Sequence, residues 1–179
     1  AGMPSWYNLF FATFGTLAVI RHIETNRQNW LFLAGLCGGF SFLAKLTGLY
    51  YVTAVLLFLT YREQILSGIG GRSRATNFSG FFLLKALGCL VFTISLIMLV
   101  RPRLGPMEFF HFLLPNIVIP AVLLWSDRRE GHGTFTVRLK QLFRLLLPFG
   151  AGVATPIVLF LIPYALSHSI YDFYNGVFV

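Results

Sequence analysis

Lys45 is the residue whose position in this chain most strongly indicates chemistry. It lies in the middle of Trp30–Tyr61, a stretch in which it is the only charged side chain. A lone lysine deep in an apolar segment costs about 2.5–3.5 kcal/mol when the segment enters a membrane, unless the ammonium reaches water or a partner. Lys45 is therefore expected either at a turn of the chain near the membrane surface or at a site that binds an anion.

Two arginines could complete such an anion site. Arg101 and Arg103 flank Pro102 just after the apolar run Phe81–Val100. A lysine binds phosphate as a point charge and an arginine binds it as a bidentate clamp, so the three cations could hold the head group of a polyprenyl phosphate. The alternatives are a snorkelling turn residue for Lys45 and plain interfacial anchoring for the two arginines.

Few other residues offer chemistry. Glu108 and His111 stand three positions apart and could form a polar pair on one helical face, although a helix end is the alternative. Glu108 and Asp172 are the acidic residues expected on the same side as Lys45, but no acid–base pair can be assembled from them. The sequence has no phosphate-binding glycine loop, no nucleophile elbow and no metal-ligand spacing. We therefore identify no catalytic residue and expect neither a metal nor a cofactor.

The composition limits the class of protein that positions these residues. The chain is 56% hydrophobic, contains 20 Phe and has only 11% charged residues, which is too apolar for an ordinary soluble domain. Its net charge of +8 is spread between apolar runs rather than gathered on one surface, so we expect no nucleic-acid partner. Cys37 and Cys89 both lie within apolar runs and are expected to be free thiols.

The apolar runs predict an all-α fold, a polytopic membrane helical bundle with about six spanning segments. These segments are Trp6–Ile20, the two halves of Trp30–Tyr61, Phe81–Val100, Phe109–Trp125 and Leu145–Leu166. Prolines within the last two runs are expected to kink their helices rather than break them. Val137–Arg144 is expected to form a separate, short basic helix on the lipid surface.

The Trp30–Tyr61 stretch has two possible structures. As one helix of 32 residues it would be about 48 Å long, well beyond a hydrocarbon core of about 30 Å. We favour a helical hairpin that turns at Lys45, because Thr47 and Gly48 follow directly and small residues before Lys45 allow close packing. The hairpin places eleven lysines and arginines, Lys85 and Arg138 among them, on the cytoplasmic side and three on the other. That split fits the positive-inside rule better than a single long helix does.

The region Gln28–Arg62 resembles the polyprenyl-phosphate-dependent glycosyltransferases of the membrane-embedded C-type fold. This group includes the protein O-mannosyltransferases and the bacterial aminoarabinose transferases. The similar features are a glycine-rich Leu-Ala-Gly-Leu helix, a turn in which an aliphatic residue precedes Lys and Thr, and a second aliphatic helix. Residues 3–10 also resemble the start of the preceding helix in that group, and residues 176–179 the start of a later extracytoplasmic segment. The resemblance covers about a third of the chain.

The resemblance implies that Lys45 lies near a lipid-linked sugar donor on the extracytoplasmic side, in a membrane expected to be the bacterial inner membrane. The family transfers the sugar from a polyprenyl-phosphate donor, which is a substrate and not a cofactor, to a hydroxyl of a lipid, glycan or protein acceptor. An acidic residue in an upstream loop serves as the base in the family, and this chain has no such loop. We therefore expect residues 1–179 to form a single transmembrane domain within a longer chain.

Two other classes of protein remain open from the sequence. A transporter or flippase would also use intramembrane cations and proline-containing helices, but it is expected to show inverted repeats, and none is found. A non-catalytic membrane subunit of the cell envelope would need no charged site and would tolerate Lys45→Ala.

Overall fold

The computed structural model describes residues 4–69, 80–100, 114–130 and 135–167. The described residues form six α-helices and one short 3-10 turn, which confirms the all-α fold class. The helices are α1 (Pro4–Thr25), α2 (Gln28–Ala44), α3 (Leu49–Ile69), α4 (Gly80–Val100), α5 (Leu114–Glu130) and α6 (Phe135–Leu166), with the 3-10 turn Leu46–Gly48 between α2 and α3.

Internal prolines do not interrupt the helices that contain them. Pro120 lies inside α5, and Pro148, Pro156 and Pro163 lie inside α6, as expected from the tolerance of apolar helices for this residue. The expectation of a separate basic helix at 137–144 is wrong. Those residues form the first turns of α6, which runs from Phe135 to Leu166, because Val137–Arg144 contains no proline or glycine that would end a helix before Leu145.

Helix α6 is the one described helix that is both long enough and apolar enough to cross a membrane. It has 32 residues, and only 22% of its most apolar stretch is buried within the protein. A core helix of a soluble protein would be mostly buried, so most of this apolar surface faces outward. Two shorter apolar stretches, Gly80–Ile94 and Ile117–Asp127, fall below the required length.

The helical conformation of the chain is interrupted at Lys45. Helix α2 ends at Ala44, Lys45 adopts an extended conformation, and α3 begins at Leu49 after the 3-10 turn. A single helix over Trp30–Tyr61 is therefore ruled out. Gly38 and Val52, equally far before and after Lys45, lie in contact, so the chain reverses its direction at the break.

Contacts within the described residues fall into two units. Unit 1 comprises the described parts of Ala1–Leu56 and Arg144–Val179, and unit 2 those of Leu57–Phe143. In unit 1, α1 packs along α2, and the two are joined by a turn in which Asn26 has a φ of 54° and its N–H donates to the His22 carbonyl at 2.8 Å. Asparagine tolerates this left-handed conformation better than most residues, which makes it a suitable helix end.

Unit 1 is held by close approach of helix backbones. A side-chain carbon added to Gly35 would collide with the Phe149 carbonyl, and one added to Gly39 would collide with the Pro156 ring. Around these contacts lie the fully buried side chains of Leu31 and Phe149. The prediction that the glycines of α2 allow close packing is therefore confirmed, with α6 as a partner helix.

Unit 2 has a different interior. Its buried apolar side chains include Leu59 from α3 and Phe81 from α4. Beside them the unit buries four charged side chains, which are Glu63, Lys85, Asp127 and Arg138. Charged residues are almost never fully buried unless they are paired, so each of these four side chains is expected to have a partner of opposite charge.

Candidate functional site

Lys45 lies exposed at the break between α2 and α3, where a backbone hydrogen bond fixes the chain on each side of it. Its N–H donates to the Ser41 carbonyl at 3.1 Å, and its own carbonyl accepts from the Gly48 N–H at 2.8 Å. The first of these hydrogen bonds completes the last turn of α2, and the second closes the 3-10 turn. These two hydrogen bonds therefore fix the backbone conformation at Lys45.

Asn8 of α1 ties the two sides of this break together. With its NH₂ group toward Ser41, its amide donates to the Ser41 carbonyl at 2.7 Å, and its oxygen accepts from the Thr47 hydroxyl at 2.7 Å and from the Gly48 N–H at 3.2 Å. This orientation is assigned from the partners, because it matches every donor with an acceptor. The Asn8 side chain thus forms hydrogen bonds to the end of α2 and to the 3-10 turn, and so holds together the two segments on either side of Lys45.

Gly48 is required by the same arrangement. A side-chain carbon at this position would overlap the carbonyl group of Ser41. The tight passage of the chain past the end of α2 therefore needs a residue without a side chain. The Thr47–Gly48 pair that predicted a turn in the sequence has a specific role here, because Thr47 donates to Asn8 and Gly48 allows the close approach.

The ammonium group of Lys45 makes no ion pair with any carboxylate in the described part of the chain. An exposed cation next to two apolar helices, with no internal counter-charge among those residues, is suited to binding an external anion as a point charge. The other predicted site residues are Arg101, Arg103, Glu108 and His111, and all four lie outside the described residues. Their grouping with Lys45 stays a prediction.

The four buried charges of unit 2 form a closed ring, which we call the charge ring: Glu63, Lys85, Asp127 and Arg138. Lys85 Nζ lies 2.6 Å from Glu63 Oε2 and 3.5 Å from Asp127 Oδ1. Arg138 donates from Nε to Glu63 Oε1 at 2.9 Å, from Nη2 to Glu63 Oε2 at 3.2 Å, and from Nη2 to Asp127 Oδ1. Each acid contacts both bases, and each of the helices α3 to α6 contributes one member.

The charge ring is sealed from solvent. The side chains of its four members are between 0% and 3% exposed. Phe81 covers both cations, with Lys85 Nζ 5.1 Å and the Arg138 guanidinium carbon 4.4 Å from its ring centre. Such positions over an aromatic face are favourable for cations and remove them further from water. In the described part of the chain, the second carboxylate oxygen of Asp127 is buried without a hydrogen-bond partner.

The sequence predictions place Lys85 and Arg138 on the cytoplasmic side but do not pair them with Glu63 and Asp127. Lys85 lies four residues inside the apolar run Phe81–Val100. That position is the signal that could have revealed the ring, since a lysine inside an apolar helix needs a carboxylate from elsewhere. Glu63 and Asp127, each at the end of an apolar run, were the available candidates.

The described residues offer little for other chemistry. They contain no group of three or more His, Cys, Asp or Glu side chains that could hold a metal ion. Cys37 and Cys89 are free thiols, as expected. Two polar arrangements therefore stand out, namely the exposed Lys45 at its braced turn and the buried charge ring.

Comparison with known proteins adds no assignment. The chain matches no protein-family model, no curated protein and no solved structure.

Proposed function

We propose that this chain is part of an integral membrane glycosyltransferase that takes its sugar from a polyprenyl-phosphate donor, and that Lys45 binds the donor phosphate. The six helices then form a bundle in the membrane, with Lys45 on the extracytoplasmic side. The observation that carries the proposal is Lys45 itself, exposed at a braced helix break and without a carboxylate partner among the described residues.

A membrane environment is supported by α4, whose faces are inverted relative to a water-soluble helix. Its lysine is buried, with 6% of Lys85 exposed, whereas 60% of Leu83 and of Leu87 is exposed. Leu90 and Ile94 continue the same outward apolar stripe. In water an exposed apolar stripe of this kind would favour aggregation, but in lipid it is the ordinary outer surface of a helix.

Helix α6 alone among the described helices meets both the length and the hydropathy of a membrane span, and three further helices match a span in length alone. Helices α1, α3 and α4 have 22, 21 and 21 residues. At 1.5 Å per residue each extends over about 30 Å, close to the thickness of a hydrocarbon core. Trp6 near the start of α1 is 73% exposed, a position suited to an interfacial aromatic residue.

Binding of the lipid phosphate can be tested directly with the full-length protein in phosphatidylcholine nanodiscs. The ligand is radiolabelled undecaprenyl phosphate, with dolichyl phosphate in parallel and undecaprenol as the form without a phosphate. We expect Lys45→Gln to weaken binding of the phosphates about tenfold, because one charge-assisted contact is lost. Binding of undecaprenol should not change.

Lys140→Gln provides the control, since Lys140 is also an exposed lysine but lies within α6, away from the helix break. It should bind undecaprenyl phosphate as the parent protein does. Equal affinity of the Lys45→Gln variant and the parent would remove Lys45 from the phosphate site.

The transfer reaction requires a separate assay. In the full-length protein, Lys45→Ala is expected to abolish sugar transfer while membrane insertion stays intact. If the parent protein binds the lipid phosphate but transfers no sugar from any polyprenyl-phosphate donor, lipid transport becomes the better account. If it binds no lipid phosphate, a structural subunit does.

A further inference from the structure

We propose that the charge ring selects one arrangement of the four helices of unit 2, and that it contributes specificity of packing rather than net stability. This role is independent of the proposed glycosyl transfer. It would hold equally for a transporter or a structural subunit, because it rests only on the contacts among Glu63, Lys85, Asp127 and Arg138.

The closure of the ring is the first argument. Its members alternate in charge, from Glu63 to Lys85, Asp127, Arg138 and back to Glu63. Each helix therefore presents one sign of charge to two neighbours of the opposite sign. A rotation of any one helix that turned its charge away would leave the remaining charges unbalanced in a buried place. Few arrangements of the four helices pair all four charges at once.

The energetics of buried charges are the second argument. Removing two acids and two bases from water is expensive, and replacing such a network by apolar side chains of similar size is often neutral or stabilising. Apolar side chains, however, tolerate many rotations and registers, whereas a charge accepts only a geometry that pairs it. A ring that is 0–3% exposed at its side chains is therefore better suited to excluding wrong arrangements than to adding stability.

The surroundings of the ring are the third argument. Gln64, next to Glu63 on α3, donates to the Leu123 carbonyl of α5 at 3.0 Å, and the rings of Phe81 and Phe135 lie 6.2 Å apart, edge to face. These contacts join α3 to α5 and α4 to α6, the two pairs of helices whose ring members carry the same charge and do not pair with each other. A wrong arrangement would lose them together with the ion pairs, which sharpens the selection.

Distances between two spin labels measure this selection. In a background with Cys37→Ser and Cys89→Ser, labels are placed at Ile65→Cys on α3 and Val122→Cys on α5, which are 46% and 60% exposed. One variant replaces all ring members by apolar residues (Glu63→Met, Lys85→Met, Asp127→Leu, Arg138→Met). A second, with the same composition and net charge as the parent, exchanges one pair (Glu63→Lys with Lys85→Glu).

The parent should give one narrow distance. The apolar variant should melt within about 5 °C of the parent or above it, yet give a broadened or split distribution of distances. The exchanged pair places a carboxylate of α4 next to Asp127 and an ammonium of α3 next to Arg138, so it should lose the parent distance. The proposal is overturned if the apolar variant keeps the single narrow distance or fails to fold, or if the exchanged pair keeps the parent distance.

Discussion

Lys45 and Lys85 are both lysines within apolar stretches of the chain, but the structure treats them in opposite ways. Lys45 is exposed at a helix break and has no ion pair among the described residues, whereas Lys85 is buried inside an unbroken helix between two carboxylates. One charge was accommodated by ending the helix, and the other by bringing partners from distant parts of the chain. The backbone therefore decides which lysine can meet an external ligand.

The same contrast holds for the two units that contain these residues. Unit 1 is held by backbones that approach at glycines, together with the Asn8 hydrogen bonds at its turn. Unit 2 packs around a buried ring of paired charges. Replacing a lysine by methionine should therefore have a small effect on stability in unit 1 and a large one in unit 2.

The largest expected difference is between the two lysines. Lys85→Met leaves Glu63 and Asp127 short of a partner in a buried place, and we expect a loss of about 3–5 kcal/mol in the free energy of unfolding. Lys45→Met should change it by less than about 0.5 kcal/mol, because the side chain is exposed. Thermal unfolding in mild detergent measures both. Similar losses for the two variants would contradict the contrast between them.

A smaller difference is expected between two glycines of unit 1. Gly35→Ala would push a methyl group against the Phe149 carbonyl, so we expect a loss of about 1–3 kcal/mol. Gly150, in the same unit, has open space where a side chain would begin, and Gly150→Ala should stabilise α6 by up to about 1 kcal/mol. The same unfolding assay compares them, and a neutral Gly35→Ala would show that α2 and α6 do not need this close contact.

The smallest effect is expected at the turn that carries Lys45. Asn8→Ala removes the hydrogen bonds to Ser41, Thr47 and Gly48, which should cost about 1 kcal/mol of stability. Because the turn is then less well fixed, binding of undecaprenyl phosphate should weaken about threefold. Asn29→Ala is the control, since Asn29 is exposed on α2. An Asn8→Ala variant with unchanged affinity would mean that the bracing of the turn does not affect Lys45.

The sequence predicted the parts of the fold that depend on neighbouring residues. The six helices of the described residues followed from the apolar runs, and the break at Lys45 followed from the lysine and the Thr47–Gly48 pair after it. Lys85 inside an apolar run indicates that a carboxylate partner is needed, but the pairing itself does not follow from neighbouring residues, because the ring members are spread from Glu63 to Arg138 and meet only after folding. The start of α6 was missed because a basic segment was assigned to the lipid surface, whereas Arg138 turns inward.

The ring also changes how the charges of the sequence are counted. The positive-inside argument placed eleven lysines and arginines on the cytoplasmic side against three on the other. Lys85 and Arg138 are neutralised by Glu63 and Asp127, and removing them from the eleven leaves nine. The bias keeps its direction, so the proposed orientation does not depend on the two buried cations.

The burial of the charge ring has a consequence for how the protein responds to ionic strength. Counter-ions screen charges that water surrounds, over a distance of about 8 Å at 0.15 M, but they screen buried pairs much less. Sodium chloride should therefore leave the ring's pairing almost unchanged while it competes with any anion for the exposed Lys45. Varying the sodium chloride concentration should therefore distinguish the exposed charge of Lys45 from the buried charges of the ring.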